Sequence, residues 1–215
     1  MEAPVKKLWV YRVVVLLLAA GLAAAIFMKK DSCQVVPEYM SAVSGWRTIA
    51  PEDVEDNFVR LLHENMGLLT AGEPGRTNSM TIGWGAFGTL WSVPVFNVYV
   101  SPDRYTHGFM EEFETYTVSF LSERHRDDVI YLGTHSGRDG DKISQTSLTL
   151  EYTVNGTPYF EEAFMVIECR KQYGAQFEDA RLGEIPSGFY EKVPVGVHSA
   201  YVGQIMQIMV NDDNR

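Results

Sequence analysis

From about residue 65 to residue 210 the chain is a run of short, β-prone apolar segments separated by glycine-, proline- and hydroxyl-rich loops. Met66–Thr70, Ser79–Phe87, Val93–Val100, Tyr116–Leu121, Ser147–Val154, Tyr159–Cys169 and Tyr201–Val210 read as strands. Pro94 sits at the start of its strand, where a missing N–H is tolerated. Gly72–Gly75 breaks the first strand, and Asn155-Gly156 joins two others as a hairpin. Helical periodicity is confined to Thr106–Phe113, with Thr106 as cap, and Ser122–Leu132, with Ser122 as cap. The pattern does not alternate as βαβ units, and no Gly-x-Gly-x-x-Gly follows a strand, so a Rossmann fold is disfavoured. The expected fold is mainly β: a closed or nearly closed antiparallel barrel with short capping helices.

Upstream, Pro51-Glu52-Asp53 suits the first turn of a helix, and Val54, Phe58, Leu61 and Leu62 form one apolar stripe that would cover a barrel end. The first 32 residues differ in kind. Val13–Met28 is apolar or glycine throughout, with Lys6 and Lys7 before it and Lys29 and Lys30 after it. If Arg12 snorkels, the run is long enough for a membrane anchor; a cleaved signal peptide is the alternative. The expected organisation is an anchor or signal over 1–32, a tether over 33–50 and one domain over 51–215. The protein would then be membrane-anchored, or exported after cleavage.

The chain carries 18 Lys and Arg against 28 Asp and Glu, a formal charge of −10 at pH 7. An acidic surface repels a nucleic-acid backbone, so nucleic-acid binding is a poor reading. Cys33 and Cys169 are the two cysteines, too few for a disulfide framework or a structural zinc site. Cys169 lies in a strand-like run and reads as a buried thiol. Asn155-Gly156-Thr157 is formally a glycan sequon, but a hairpin turn explains it more simply.

Three loops carry the chemistry. In N-S-M-T-I-G-W-G at 78–85, Asn78 and the hydroxyls of Ser79 and Thr81 could address the polar edge of a planar ring, with Trp84 packed beside it. In S-P-D-R-Y-T-H at 101–107, Ser101 and Thr106 offer hydroxyls and Arg104 a fork for a phosphate. In S-G-R-D-G-D-K at 136–142, Ser136, Arg138 and Lys142 could close over an anion. Each loop alone also fits a structural role: a turn into a strand, a capped helix, a self-neutralising surface loop. Together they suit a phosphorylated aromatic cofactor.

These pieces, with P-V-F-N-V-Y-V-S-P-D-R-Y-T, Y-L-G-T-H-S-G-R-D-G-D-K, E-E-A-F-M-V-I-E-C-R and H-S-A-Y-V-G-Q-I in order, resemble the flavin reductase-like family with an FMN-binding split barrel, the group that includes flavoredoxin. The resemblance implies a split barrel, a homodimer with FMN near the subunit interface, and an FMN-dependent oxidoreductase. Its donor would be NADH, NADPH or a redox protein. A non-catalytic flavin carrier and a cofactor-free interaction domain are the alternatives. It implies that Asn78, Met80 and Thr81 hold the isoalloxazine edge, with Trp84 nearby. Ser101, Arg104, Tyr105 and Thr106 would serve the phosphate and ribityl end, helped by Ser136, Arg138 and Lys142, with His198 near the flavin. Relatives commonly have arginine at the position of Ser101 and often serine at that of Asp103. Here the phosphate end loses one positive charge and gains a negative one.

Overall fold

The computed structural model describes residues 45–215. Among these residues ten strands form two antiparallel sheets. The strands are β1 (Arg47–Ile49), β2 (Gly67–Glu73), β3 (Arg76–Ile82), β4 (Gly85–Leu90), β5 (Val93–Val100), β6 (Thr115–Phe120), β7 (Leu150–Tyr152), β8 (Pro158–Phe160), β9 (Met165–Gln176) and β10 (Ser199–Val210). The large sheet runs β3-β2-β6-β9-β10-β5-β4, and β1 adds to β10; β7 and β8 pair separately. The helices are α1 (Phe58–Arg60), α2 (Tyr105–Glu112), α3 (Arg126–Thr134) and α4 (Glu184–Tyr190).

The expectation of a closed barrel is corrected. The strand path has two ends, β3 and β4, which follow each other in sequence and do not pair. Gly83-Trp84 turns the chain out of β3, and β4 pairs with β5 instead, Gly85 opposite Val98 and Leu90 opposite Val93. Ser79–Phe87 is therefore two strands at opposite ends of the sheet, and the sheet is split between them.

The expectation of a membrane-spanning helix, with the membrane partner and membrane location it implied, is also corrected. No helix among the described residues is long and apolar enough to cross a membrane, and residues 1–32 lie outside the described residues. Arg47–Ile49, within the stretch read as a tether, pairs with Ile208–Val210 as β1.

Alternation along the strands builds two cores. Leu69, Val118, Ile167 and Ile208 point to one face, while their neighbours Leu68, Val166 and Met209 point to the other. With both faces covered, the central strands read as nearly continuous apolar runs. The second face is closed by Val129 and Leu132 of α3 and by Tyr159 and Phe160 of β8. The β7–β8 hairpin is fastened through the fully buried Glu168 of β9, which accepts hydrogen bonds from Thr153 (2.9 Å), Thr157 (2.6 Å), Asn155 and Gln207 (2.5 Å). The side-chain amide of Asn155 is thus a structural donor at a corner whose Gly156 has φ +79°.

Several boundaries shift for identifiable reasons. The helix expected from Pro51 is interrupted. A 3₁₀ turn at Pro51–Asp53 gives way to extended Val54, and Asn57 then caps Arg60 (3.1 Å) at the start of α1. The helical path continues as a π turn over Leu61–Asn65. Thr106 does not cap α2, because its hydroxyl accepts from Asn78 (2.7 Å). Ser122 makes no side-chain cap; a 3₁₀ turn at Glu123–His125 precedes α3. Tyr159–Cys169 is divided into β8 and β9. The two-residue turn joining β4 to β5 is Trp91-Ser92, both at positive φ (52° and 61°), which glycine or asparagine would normally signal.

A close approach fixes the middle of the sheet. The hydroxyl of fully buried Tyr116 donates to Phe96 O (2.7 Å), and burial pushes its pKa well above the usual tyrosine value. A Cβ on Gly203 would lie 2.0 Å from that oxygen, at a bulge between β9 and β10. Gly203→Ala is expected to cost about 1–3 kcal/mol by urea unfolding, and Tyr116→Phe in the same chain to recover part of it. An unchanged midpoint for the single variant would contradict the packing described.

Candidate functional site

The carboxyl end of α3 gathers the three loops. Thr81 of β3 donates from its hydroxyl to Val129 O (2.5 Å). Arg104, just before α2, donates to Gly133 O (3.0 Å). Lys142 reaches back to Leu132 O (2.6 Å) and His135 O (2.9 Å). The last carbonyls of a helix lack partners within the helix and carry its negative end, so cations settle there. Arg138, in the loop after α3, donates to Asp103 O (2.9 Å) and lies 5.4 Å from the Tyr105 ring centroid.

These anchors shape two adjoining cavities. The first, about 140 Å³, is lined by Asn78, Met80, Asp103, Arg104, Tyr105, Thr106, Leu132, Thr134, His135, Ser136, Gly137, Arg138 and Lys142. The second, about 250 Å³, is lined by Met80, Thr81, Ile82, Gly83, Trp84, Tyr99, Ser101, Arg104, Phe189, Val193, Val195 and His198. Met80 and Arg104 belong to both. Twelve of the residues singled out in the sequence line one cavity or the other; Ser79 does not, its fully buried hydroxyl pairing with that of Thr70 (3.0 Å). Asn78, Tyr105, Thr106, Ser136, Arg138 and Lys142 belong to the first; Thr81, Trp84, Ser101 and His198 belong to the second.

The first cavity is polar and positively charged. Arg104, Arg138 and Lys142 meet there, and Gly137 packs so tightly that a Cβ would fall 2.2 Å from Asn78 Oδ1. The Lys142 ammonium, almost wholly buried, is pushed down to about 8 by burial first and by the nearby Arg104 charge second. Two of its three donors are taken by carbonyls, so it braces α3 as well as facing the cavity.

The second cavity is largely apolar and aromatic. Trp84 is edge-on to Phe189 (5.1 Å between centroids) and lies 5.0 Å from the His198 ring. His198 Nδ1 meets the Tyr190 hydroxyl (2.9 Å). Burial, and then the Arg104 charge, lower the His198 pKa, opposed by Asp103. Ser101 does not present a free hydroxyl. Its Oγ lies 3.3 Å from both Asp103 Oδ2 and Asp103 N.

Sequence reasoning missed the outer wall of the second cavity: Tyr99, Phe189, Val193 and Val195. Tyr99 lies between the core residues Val98 and Val100 of β5 and so faces away from them, only partly buried. The other three belong to a segment of mixed composition with proline and glycine inside its helix, which has no clean period.

Comparison with known proteins decides the family. The flavin reductase like domain profile matches residues 59–215. The chain belongs to that family. Its fold matches flavoredoxin from Methanosarcina acetivorans (TM-score 0.54, 22% identity, 67% of each chain). It also matches the FMN-binding protein from Thermus thermophilus, solved with bound p-hydroxybenzaldehyde (TM-score 0.54, 23% identity, 75% of this chain and 80% of that one). A third match is flavoredoxin of Desulfovibrio vulgaris (Miyazaki F), with TM-score 0.54, 22% identity, and 69% and 70% covered. Among curated proteins no relative matches. At these identities the structural likenesses carry the split-barrel fold alone.

The partners implied by the resemblance are corrected here. A homodimer holding the site near its interface, NADH, NADPH and a redox protein rested on that resemblance alone. The twelve site residues line cavities of this one chain, and no observation on it supports those partners.

The cation cluster makes stability sensitive to anions. Because the folded pKa of Lys142 lies below its ordinary value, its charged form opposes folding at low pH, and that opposition fades as pH rises through about 8. An anion in the cavity offsets it only while the ammonium is charged. Sulfate at millimolar concentration should therefore raise the thermal unfolding midpoint more at about pH 7 than at about pH 9.5. Arg104→Ala should lose most of the rise. Equal shifts at both pH values would remove Lys142 from the anion site.

Proposed function

We propose that this member of the flavin reductase like domain family is an FMN-dependent oxidoreductase. The observation that carries the reading is the junction of two unlike cavities. A polar one with three cations adjoins, across Met80 and Arg104, an aromatic, largely apolar one. A flavin mononucleotide has the same division: a phosphate at one end and a flat ring at the other. The donor set fits the group, and the glycine cradle at Gly137 brings backbone close to where a phosphate or ribityl chain would lie.

In this reading Arg104, Arg138 and the remaining donor of Lys142 neutralise the phosphate, and Ser136, Tyr105 and Thr106 border the ribityl path. Met80, Thr81 and Trp84 flank the ring edge, Asn78 borders it from the first cavity, and His198 closes one side. When bound, FMN supplies one- and two-electron transfer; the protein supplies placement, charge and exclusion of water. A barrel that had abandoned its cofactor would keep three cations together against the one carboxylate of Asp103, which weighs against a cofactor-free interaction domain.

Charge-assisted hydrogen bonds are worth about 1.5–3 kcal/mol. Arg104→Ala should therefore weaken FMN by roughly 10- to 100-fold, while riboflavin, which lacks the phosphate, changes much less. Flavin fluorescence titration of the apo-protein measures both. Equal losses for the two flavins would place Arg104 outside the phosphate site, and no FMN binding by folded wild type would reject the reading.

A further inference from the structure

Residues 183–198 run across the mouth of the second cavity as a strap. None of them is buried. α4, which carries Pro186 and Gly188, leaves Ile185 88% exposed. The strap's backbone bonds run largely within itself: Ser187 to Gly183, Glu191 to Ser187, Val193 to Phe189, Val195 to Val193. Yet it supplies Phe189, Val193, Val195 and His198, a third of the second cavity's lining. Its downstream end is sewn to β9, with Phe177 N donating to His198 O (3.0 Å) and Gln176 to Val197 O (2.8 Å).

Just upstream of that seam the strap meets the barrel at Asp103. Gly196 N donates to Asp103 Oδ2 (2.6 Å). Asp103 is itself held firmly: its carbonyl accepts from Arg138 (2.9 Å), its N–H lies 3.3 Å from Ser101 Oγ, and that hydroxyl also faces its carboxylate (3.3 Å). Ser101 is nearly fully buried. Gly196 approaches so closely that a Cβ would lie 2.6 Å from Pro102 Cγ. The carboxylate thus points at the strap's backbone, and the buried serine braces it in that direction.

We propose that the strap is a lid over the second cavity and that Asp103, braced by Ser101, is the positioning residue that holds it shut. A charged acceptor on one backbone N–H, at the edge of a segment with no buried side chain, is the kind of bond that governs local opening. Breaking this bond should quicken the exchange of ring-sized ligands with the second cavity. That consequence rests on the flavin reading of the cavity; the latch rests on this chain's own contacts.

The test is hydrogen–deuterium exchange by mass spectrometry on the flavin-free full chain. Asp103→Ala should speed exchange across 183–198 by roughly 10- to 100-fold, with β9 and β10 unchanged beyond the seam. Asp103→Asn keeps an acceptor oxygen and should restore most of the protection, which a general packing defect would not show. Gly196→Ala reaches the latch from the strap side and should also release the lid, so the test survives if one variant fails to fold. Combining Asp103→Ala with Gly196→Ala should add little to either. Unchanged exchange in 183–198 for folded Asp103→Ala overturns the proposal, as does faster exchange spread evenly over the sheet. In FMN-loaded protein, Asp103→Ala should release flavin faster by a similar factor. A chain that never binds FMN would count against the proposed function, and the flavin-free exchange would still decide the latch.

Discussion

The site depends on the carboxyl end of one nine-residue helix, α3. Its last carbonyls need partners, and two pieces of sequence provide them: Arg104 from the turn before α2 and Lys142 from the loop after α3 itself, while Thr81 of β3 ties the helix one turn earlier at Val129 O. Satisfying those carbonyls draws two cations together in a space that water reaches poorly. The depressed Lys142 pKa, caused by burial and by Arg104, reports the electrostatic cost. The same bonds that finish the helix therefore create a cavity that favours an anion. Beside it, the split between β3 and β4 opens the apolar cavity where Trp84 stands. Structure and binding chemistry are two consequences of one set of contacts.

Much of this was legible in the chain. Strand alternation located β5 to the residue and β6 and β10 to within one or two, because those strands face the two cores and their residues have little freedom to be anything else. The three loops stood out because hydroxyls, glycines and isolated cations are conspicuous in an acidic protein. What could not be read was where a strand stops for tertiary reasons. The turn at Gly83-Trp84 divides one continuous β-prone run between opposite edges of a sheet, and Glu161–Phe164 divides another. Caps were misread where a hydroxyl had a better partner elsewhere, as Thr106 does in Asn78. The strap was illegible because its residues are held by the Gly196–Asp103 bond, the seam at Val197 and His198 and a few ring contacts, and such contacts leave no periodicity.

The two positions at which the family resemblance implied a departure acquire a physical meaning. Read as isolated residues, Ser101 and Asp103 subtract a positive charge and add a negative one at the phosphate end. In the fold, the Asp103 carboxylate is directed at Gly196 N, and Ser101 braces it there. The negative charge is thereby tied to the strap, while Arg104, Arg138 and Lys142 line the first cavity. A local charge count misses this because direction decides which neighbour a carboxylate addresses.

The account's central claim is that one flavin mononucleotide spans both cavities, with its phosphate answered by Arg104 and Lys142 and its ring beside Trp84. A crystal structure of the protein grown with FMN tests it most directly. The account predicts phosphate density in the first cavity, within hydrogen-bond distance of the Arg104 guanidinium, and the ring in the second cavity between Met80 and Trp84. Flavin bound elsewhere, or the same pose with the phosphate turned away from Arg104, Arg138 and Lys142, would contradict it.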